Sequence, residues 1–182
     1  MAIQSAYLAP EGLTEPLLEE LEGVIAVHDR LILSSQPAKQ AHWAQNIWRN
    51  PQVFNIDSIN DAAKKLKAIQ RSWCLYSYQL HRRAKLIEEK LNTRQIKPQV
   101  FPSPLPQTPP GSFTLMDENT LLASAECSSP FPNGEAQFVE DKKGPPNRAY
   151  LKLYEALTLA GSQPQAGEFC IDVGGSPGGW AW

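Results

Sequence analysis

The sequence predicts an α+β domain followed by the opening of a doubly wound α/β domain. Three observations predict it. Short aliphatic runs alternate with short amphipathic helical patterns up to residue 127. Residues 128–147 hold four prolines and two glycines and little periodicity, which suits a linker. Residues 148–182 then read helix, apolar run, glycine turn. That is the order in which a parallel sheet delivers its first strand to a ligand at its carboxyl edge.

Taken in order, Ala6–Ala9 predicts a short strand. Thr14 is expected to cap a helix over Glu15–Glu22, with Pro16 near its start, Leu17, Leu18 and Leu21 as its apolar stripe and Gly23 closing it. Val24–Val27 and Leu31–Leu33, separated by His28-Asp29-Arg30, predict a hairpin. Ile47-Trp48 and Val53–Ile56 predict strands on either side of Asn50-Pro51. Ser58 with Asp61 resembles a capping box. Ile59, Ala62, Ala63, Leu66 and Ile69 then follow at helical spacing. Trp73–Tyr78 predicts a strand, and Leu80, Ala84, Ile87 and Leu91 mark a second helix. Six prolines between Pro98 and Pro110 exclude a continuous helix. Phe113–Leu115 and Thr120–Ala125 predict a second hairpin. Asn147 is expected to cap a helix over 148–160 that buries Leu153, Ala156, Leu157 and Ala160 and stops at Gly161. A strand over 169–173 is expected to lead into the final turn.

Composition narrows the function. No apolar run approaches the roughly 20 residues of a membrane span, and Met1–Ser5 lacks the pattern of a signal peptide. Cys74, Cys127 and Cys170 have no ligand-like spacing and are expected as free thiols in a cytoplasmic protein. The net charge of −2 conceals a basic middle. Residues 61–100 carry ten Lys or Arg (Lys64, Lys65, Lys67, Arg71, Arg82, Arg83, Lys85, Lys90, Arg94, Lys97) against Asp61, Glu88 and Glu89. Such faces are either solvated helix surfaces or a footprint for RNA phosphates. Trp73, Tyr76 and Tyr78 are either core residues or platforms for unpaired bases. His28, His42 and His81 are scattered, and no metal site is expected.

The chemistry concentrates in Asp172-Val173-Gly174-Gly175-Ser176-Pro177-Gly178-Gly179-Trp180. It is neither a P-loop nor a dinucleotide fingerprint, because no Lys-Ser/Thr follows and the glycine spacing differs. A turn so rich in glycine loses much conformational entropy on folding. That loss is explained if a ligand must approach backbone.

This segment resembles the S-adenosylmethionine-binding motif Asp-x-Gly-x-x-Pro-Gly-Gly-Trp of the FtsJ-like RNA ribose 2′-O-methyltransferases. Asn147-Arg148-Ala149-Tyr150-Leu151-Lys152-Leu153 is similar to their Ser-Arg-x-x-x-Lys-Leu helix. Ser128-Ser129-Pro130-Phe131-Pro132-Asn133-Gly134 resembles the Ser-Ser-Pro-Trp-Pro-x-Gly segment of the RlmM-like branch, which acts on cytidine of large-subunit (23S) rRNA. Asn147 stands where the family has Ser, and Ala149 where that branch tends to have Ser.

The resemblance implies a THUMP-like RNA-binding domain over 1–127, a linker over 128–147, and the first helix and strand of a Rossmann-like methyltransferase domain over 148–182. It implies S-adenosylmethionine as cofactor, held by Asp172, Gly174, Ser176, Pro177, Gly178, Gly179 and Trp180. Lys152 maps onto the first lysine of the family's Lys-Asp-Lys-Glu tetrad; the alternative is a solvated lysine paired with Glu155. RNA, expected as 23S rRNA, would contact Lys64, Lys65, Lys67, Arg71, Arg82, Arg83 and Lys85. The 182 residues alone are expected to be inactive, because one helix and one strand bury too little surface to order a ligand site. The competing expectation is a non-enzymatic RNA-binding module with a vestigial cofactor motif.

Overall fold

The computed structural model describes residues 2–91 and 97–182, so Arg94 of the basic stretch lies outside the described residues. The chain divides into two compact units, Met1–Ile96 with Thr108–Glu135, and Lys97–Gln107 with Ala136–Trp182. The described residues form a mixed α+β fold with two sheets and four α-helices.

The first unit is built in four layers. Its first sheet is antiparallel, in the order β2 (Val24–His28), β3 (Leu31–Ser34), β1 (Ser5–Leu8), β4 (Asn46–Arg49), β9 (Glu126–Cys127). One face carries Tyr7, Ile32 and Ile47, which pack on Leu17 and Leu21 at helix α1 (Thr14–Glu20). The other face carries Ala6, Leu8, Leu31, Leu33 and Trp48, which meet Leu122 of the second sheet. Successive strand residues point to opposite faces, so β1 and β3 are apolar on both and buried throughout.

The second sheet has the order β5 (Gln52–Asn55), β8 (Thr120–Ser124), β7 (Gly111–Leu115), β6 (Trp73–Leu75), with only the β6–β7 pair parallel. Its outer face, including Phe113, Leu115, Leu121 and Ala123, is covered by helices α2 (Ile59–Ile69) and α3 (His81–Leu91) through Ala62, Ala63, Leu66, Ala84 and Ile87. Each large side chain buried this way contributes about 1.5–3 kcal/mol.

One antiparallel ribbon links the two sheets. Trp48 pairs Cys127 and Arg49 pairs Glu126 in the first sheet; Gln52 pairs Ala123 and Val53 pairs Leu122 in the second. The register passes the corner without a shift. Asn50 takes a left-handed φ of 48° there, a conformation Asn tolerates better than most residues, and Pro51 demands no ladder partner. Across from them Ser124, 1% exposed, donates from Oγ to Arg49 O at 2.6 Å and accepts from Glu126 N at 3.2 Å.

Several expectations need correction. Thr14 is not a cap: α1 begins at Thr14, preceded by Leu13 without a side-chain cap, and ends at Glu20. Leu21 turns into the core, while the Glu20 carboxylate accepts the amides of His42 (2.7 Å) and Trp43 (3.1 Å). Strand β6 stops at Leu75, short of Tyr78. Ser58 does cap α2, accepting from Asp61 N at 3.1 Å. Asp29, at φ 57°, turns the β2–β3 hairpin.

The expected linker is divided between the units. Residues 128–135 are pinned in the first: Ser128 Oγ accepts Ile47 N (2.9 Å), Asn46 Oδ1 accepts Ser129 N (3.2 Å), and Asn133 Nδ2 donates to Leu75 O (2.9 Å). Phe131 is buried.

In the second unit, helix α4 (Tyr150–Ala160) starts two residues later than expected. Asn147 Oδ1 still accepts an orphan amide, that of Ala149, at 2.8 Å. Gly161 closes the helix at φ 64°. The buried residues are Tyr150 and Thr158; Leu153 and Leu157 of the expected stripe are half-buried, as is Tyr154, and Ala156 and Ala160 are exposed. Tyr154 stacks on Phe101 at 4.0 Å between centroids and meets Phe138 edge-on at 5.7 Å. Aromatic rings bury more area than the aliphatic stripe offers, so they set the helix's orientation within this unit. Among the described residues, no helix is long and apolar enough to cross a membrane.

Ser124→Ala strips the corner of its hydroxyl and leaves Glu126 N and Arg49 O without it. The expected loss is about 1–3 kcal/mol in urea unfolding followed by tryptophan fluorescence.

Candidate functional site

The glycine turn folds back on the start of α4. Trp180 Nε1 donates to Ala149 O at 2.9 Å. Gly178 N donates to Gly175 O, and Trp182 N to Gly178 O at 3.0 Å. The Trp182 ring lies 5.1 Å from that of Tyr150. Asn147, Ala149, Asp172, Val173, Gly174, Gly175, Ser176, Pro177, Gly179 and Trp180 enclose a cavity of about 140 Å³.

Two glycines have a spatial reason to be glycine. A Cβ on Gly179 would fall 2.1 Å from Asn147 Oδ1. One on Gly175 would fall 2.6 Å from Asp172 Oδ2. Gly174 is different: its φ is 80° and nothing lies within 4 Å of its would-be Cβ, so its backbone faces open space.

Thus six of the seven residues expected at a cofactor line one cavity, and Gly178 braces it through its backbone. Lys152 does not line it. It is exposed on α4, and among the described residues it has no ion-pair partner, Glu155 included. The sequence marked Ala149 only as a departure from the family's serine; what it contributes here is its backbone carbonyl, which anchors Trp180 and which no side-chain pattern signals.

In chemical kind the residues suit S-adenosylmethionine: a carboxylate for hydroxyl or ammonium donors, and backbone amides on a turn free of side chains for its carboxylate. In size the cavity of about 140 Å³ falls short, since ligands of this class occupy at least about 300 Å³. The expected strand over 169–173 is not formed. Phe169, Ile171 and Val173 are 89%, 74% and 92% exposed. A strand exists through a partner's backbone hydrogen bonds, and within the described part of this unit none is paired to it.

The basic residues occupy the outer layer of the first unit. Lys64, Lys67, Arg71, Arg82 and Lys85 are exposed, and Lys65 and Arg83 half-buried. Lys65 is held by Asp61 (2.7 Å) and Asn55 O (2.6 Å), and Lys85 by Glu88 at 2.5 Å, which raises the Lys85 pKa. The others have no carboxylate partner among the described residues. Trp73 and Tyr76 are core residues, 1% and 5% exposed, so neither is free to stack on a base. Tyr76 OH donates to Asp29 at 2.7 Å, and burial pushes its pKa up to about 12. Burial likewise pushes the Cys74 thiol up to about 12, which makes it a poor nucleophile. Among the described residues, no three His, Cys, Asp or Glu side chains are grouped to hold a metal ion.

No family model matches the chain, no curated protein is similar to it, and no solved structure matches it.

Gly179→Ala is expected to displace Asn147 and free the glycine turn. Amide hydrogen exchange would then accelerate over 175–182 and stay unchanged in β1, β7 and β8. Burial raises the Glu155 pKa. As pH rises through the ordinary glutamate range the unfolded chain ionises first, so a penalty on folding grows and is complete above the raised value. Glu155→Gln should therefore raise the melting temperature of this unit at neutral pH and leave it unchanged in acid.

Proposed function

We propose that the chain is the front part of an S-adenosylmethionine-dependent RNA ribose 2′-O-methyltransferase of the FtsJ-like family, RlmM-like branch. Its substrate would be large-subunit (23S) rRNA. One observation carries the reading: Asp172–Trp180 and the start of the Lys152 helix, two motifs the family uses together, close around one cavity through Trp180 Nε1 and Asn147. The THUMP-like and Rossmann-like assignments belong to this proposal.

S-adenosylmethionine supplies an electrophilic methyl group on a sulfonium. Asp172 and the amides of the glycine turn would bind one end of it and fix its orientation, and orientation accounts for much of the barrier lowering in such transfers. Lys152 would set an ammonium beside the ribose hydroxyl and favour the developing alkoxide. No residue of Asp172–Trp180 or the Lys152 helix is assigned the role of proton acceptor, and the 182 residues by themselves are expected to transfer no methyl group.

The test is a polypeptide continuing beyond Trp182 into further strands, assayed by tritiated methyl transfer to 23S rRNA. Asp172→Ala should abolish cofactor binding. Lys152→Ala should abolish transfer while cofactor binding persists. Methyl transfer by the 182 residues alone, or a continuation lacking the tetrad's Asp, Lys and Glu, overturns the reading.

A second reading, an RNA-binding module without catalysis, is favoured by the small cavity and by Lys64, Lys67 and Arg82 on α2 and α3, which have no carboxylate partner among the described residues. RNA affinity should fall steeply with salt. Lys64→Gln with Lys67→Gln should lower the slope of log affinity against log salt by about 0.9 for each phosphate that the pair neutralises. An unchanged slope would remove these lysines from the interface.

A further inference from the structure

The basic layer of the first unit is not uniform. Where the start of α3 meets the start of α2 and the β7–β8 turn, a groove of about 670 Å³ is lined by Ile59, Leu80, His81, Arg82, Arg83, Leu86 and Glu118. Three observations set it apart from a solvated helix face. Its lining includes the aliphatic Ile59, Leu80 and Leu86, and Leu86 is 39% exposed although its α3 neighbours Ala84 and Ile87 are buried. Arg83 Nε is buried without a hydrogen-bond partner among the described residues, a donor that folding leaves unsatisfied at a free-energy cost. Leu80 is held at φ 49°, a conformation that bulky residues avoid and that persists where surrounding structure enforces it.

We infer that this groove binds a single unpaired nucleotide of RNA, with its phosphate on Arg82 and Arg83 and its base on Ile59, Leu80 and Leu86. The inference rests on the RNA-binding part of the proposed function and narrows it from a charged face to one site. A duplex offers a protein surface chiefly its phosphates, and solvated lysines suffice for that. An unpaired nucleotide offers a charge and a flat apolar ring together. The lining carries the complementary pair: two arginines and three aliphatic side chains. His81 Nδ1 is engaged by Ser77 Oγ at 2.7 Å, which leaves Nε2 as its free nitrogen. Glu118, the one acidic group in the lining, disfavours a second phosphate at its end and offers an acceptor to a base amine.

Fluorescence anisotropy with a labelled single-stranded oligoribonucleotide of about 12 nucleotides, and with the same sequence as a duplex, tests the inference. The proteins are the parent chain, Leu86→Ser, Arg83→Gln, and Lys64→Gln with Lys67→Gln; circular dichroism melts check folding. Leu86 is exposed, so Leu86→Ser keeps the test decisive even where Arg83→Gln fails to fold. The parent should bind the single strand about tenfold more tightly than the duplex. Both groove variants should erase that preference, and the lysine variant should weaken both RNAs equally. Equal binding of strand and duplex by the parent, or groove variants that weaken both alike, overturns the groove while leaving the RNA-binding face intact. Binding of neither RNA overturns the groove and the RNA reading together.

Discussion

The architecture of the first unit depends on a single antiparallel ribbon that bends without losing register. Residues 46–55 and 120–127 pair on both sides of the corner, in one sheet before Asn50-Pro51 and in the other after it. A strand that switches sheets forces the two sheets into face-to-face packing. From that follow the burial of Trp48 and Leu122 between them, the docking of α1 on one outer face and the docking of α2 and α3 on the other. A slip of one residue would turn every inward side chain of the ribbon outward.

The corner is kept closed by polar groups rather than by more apolar surface. Asn46 and Ser112 are both fully buried, and they join Ser128, Ser129 and Asn133 in one hydrogen-bonded set. Gly134 follows at φ 79°, where a Cβ would fall 2.2 Å from Gln45 O. Buried polar groups are expensive unless satisfied, so this set specifies one path for residues 128–135. A segment composed like a linker becomes part of a core because its serines and asparagine complete hydrogen bonds that strand ends leave open.

The same layering sorts the charges. Helices α2 and α3 use their small and aliphatic residues against the sheet, which leaves Lys64, Lys67 and Arg82 toward solvent. The second unit is organised differently, around the rings of Phe101, Phe138, Tyr150 and Tyr154, with the glycine turn tied to the start of its helix by Trp180.

Much of this was legible in the sequence, where the signal was local. Ser58 with Asp61 named the α2 cap, His28-Asp29-Arg30 named a hairpin, and Gly161 named the end of α4, because each depends on residues within one turn. The glycine-rich turn was legible as a place where backbone must stay uncovered. Only the tertiary structure decided that β4 and β5 belong to different sheets, because their shared partner, residues 120–127, is remote in the chain. It also decided that α4 buries Tyr150 and Thr158 and leaves Ala156 and Ala160 of the expected stripe exposed, since faces of comparable apolarity are separated only by what packs against them. And it decided that 169–173 is no strand in this 182-residue chain. The apolar pattern of a strand is written in its own residues, but its hydrogen bonds belong half to a neighbour.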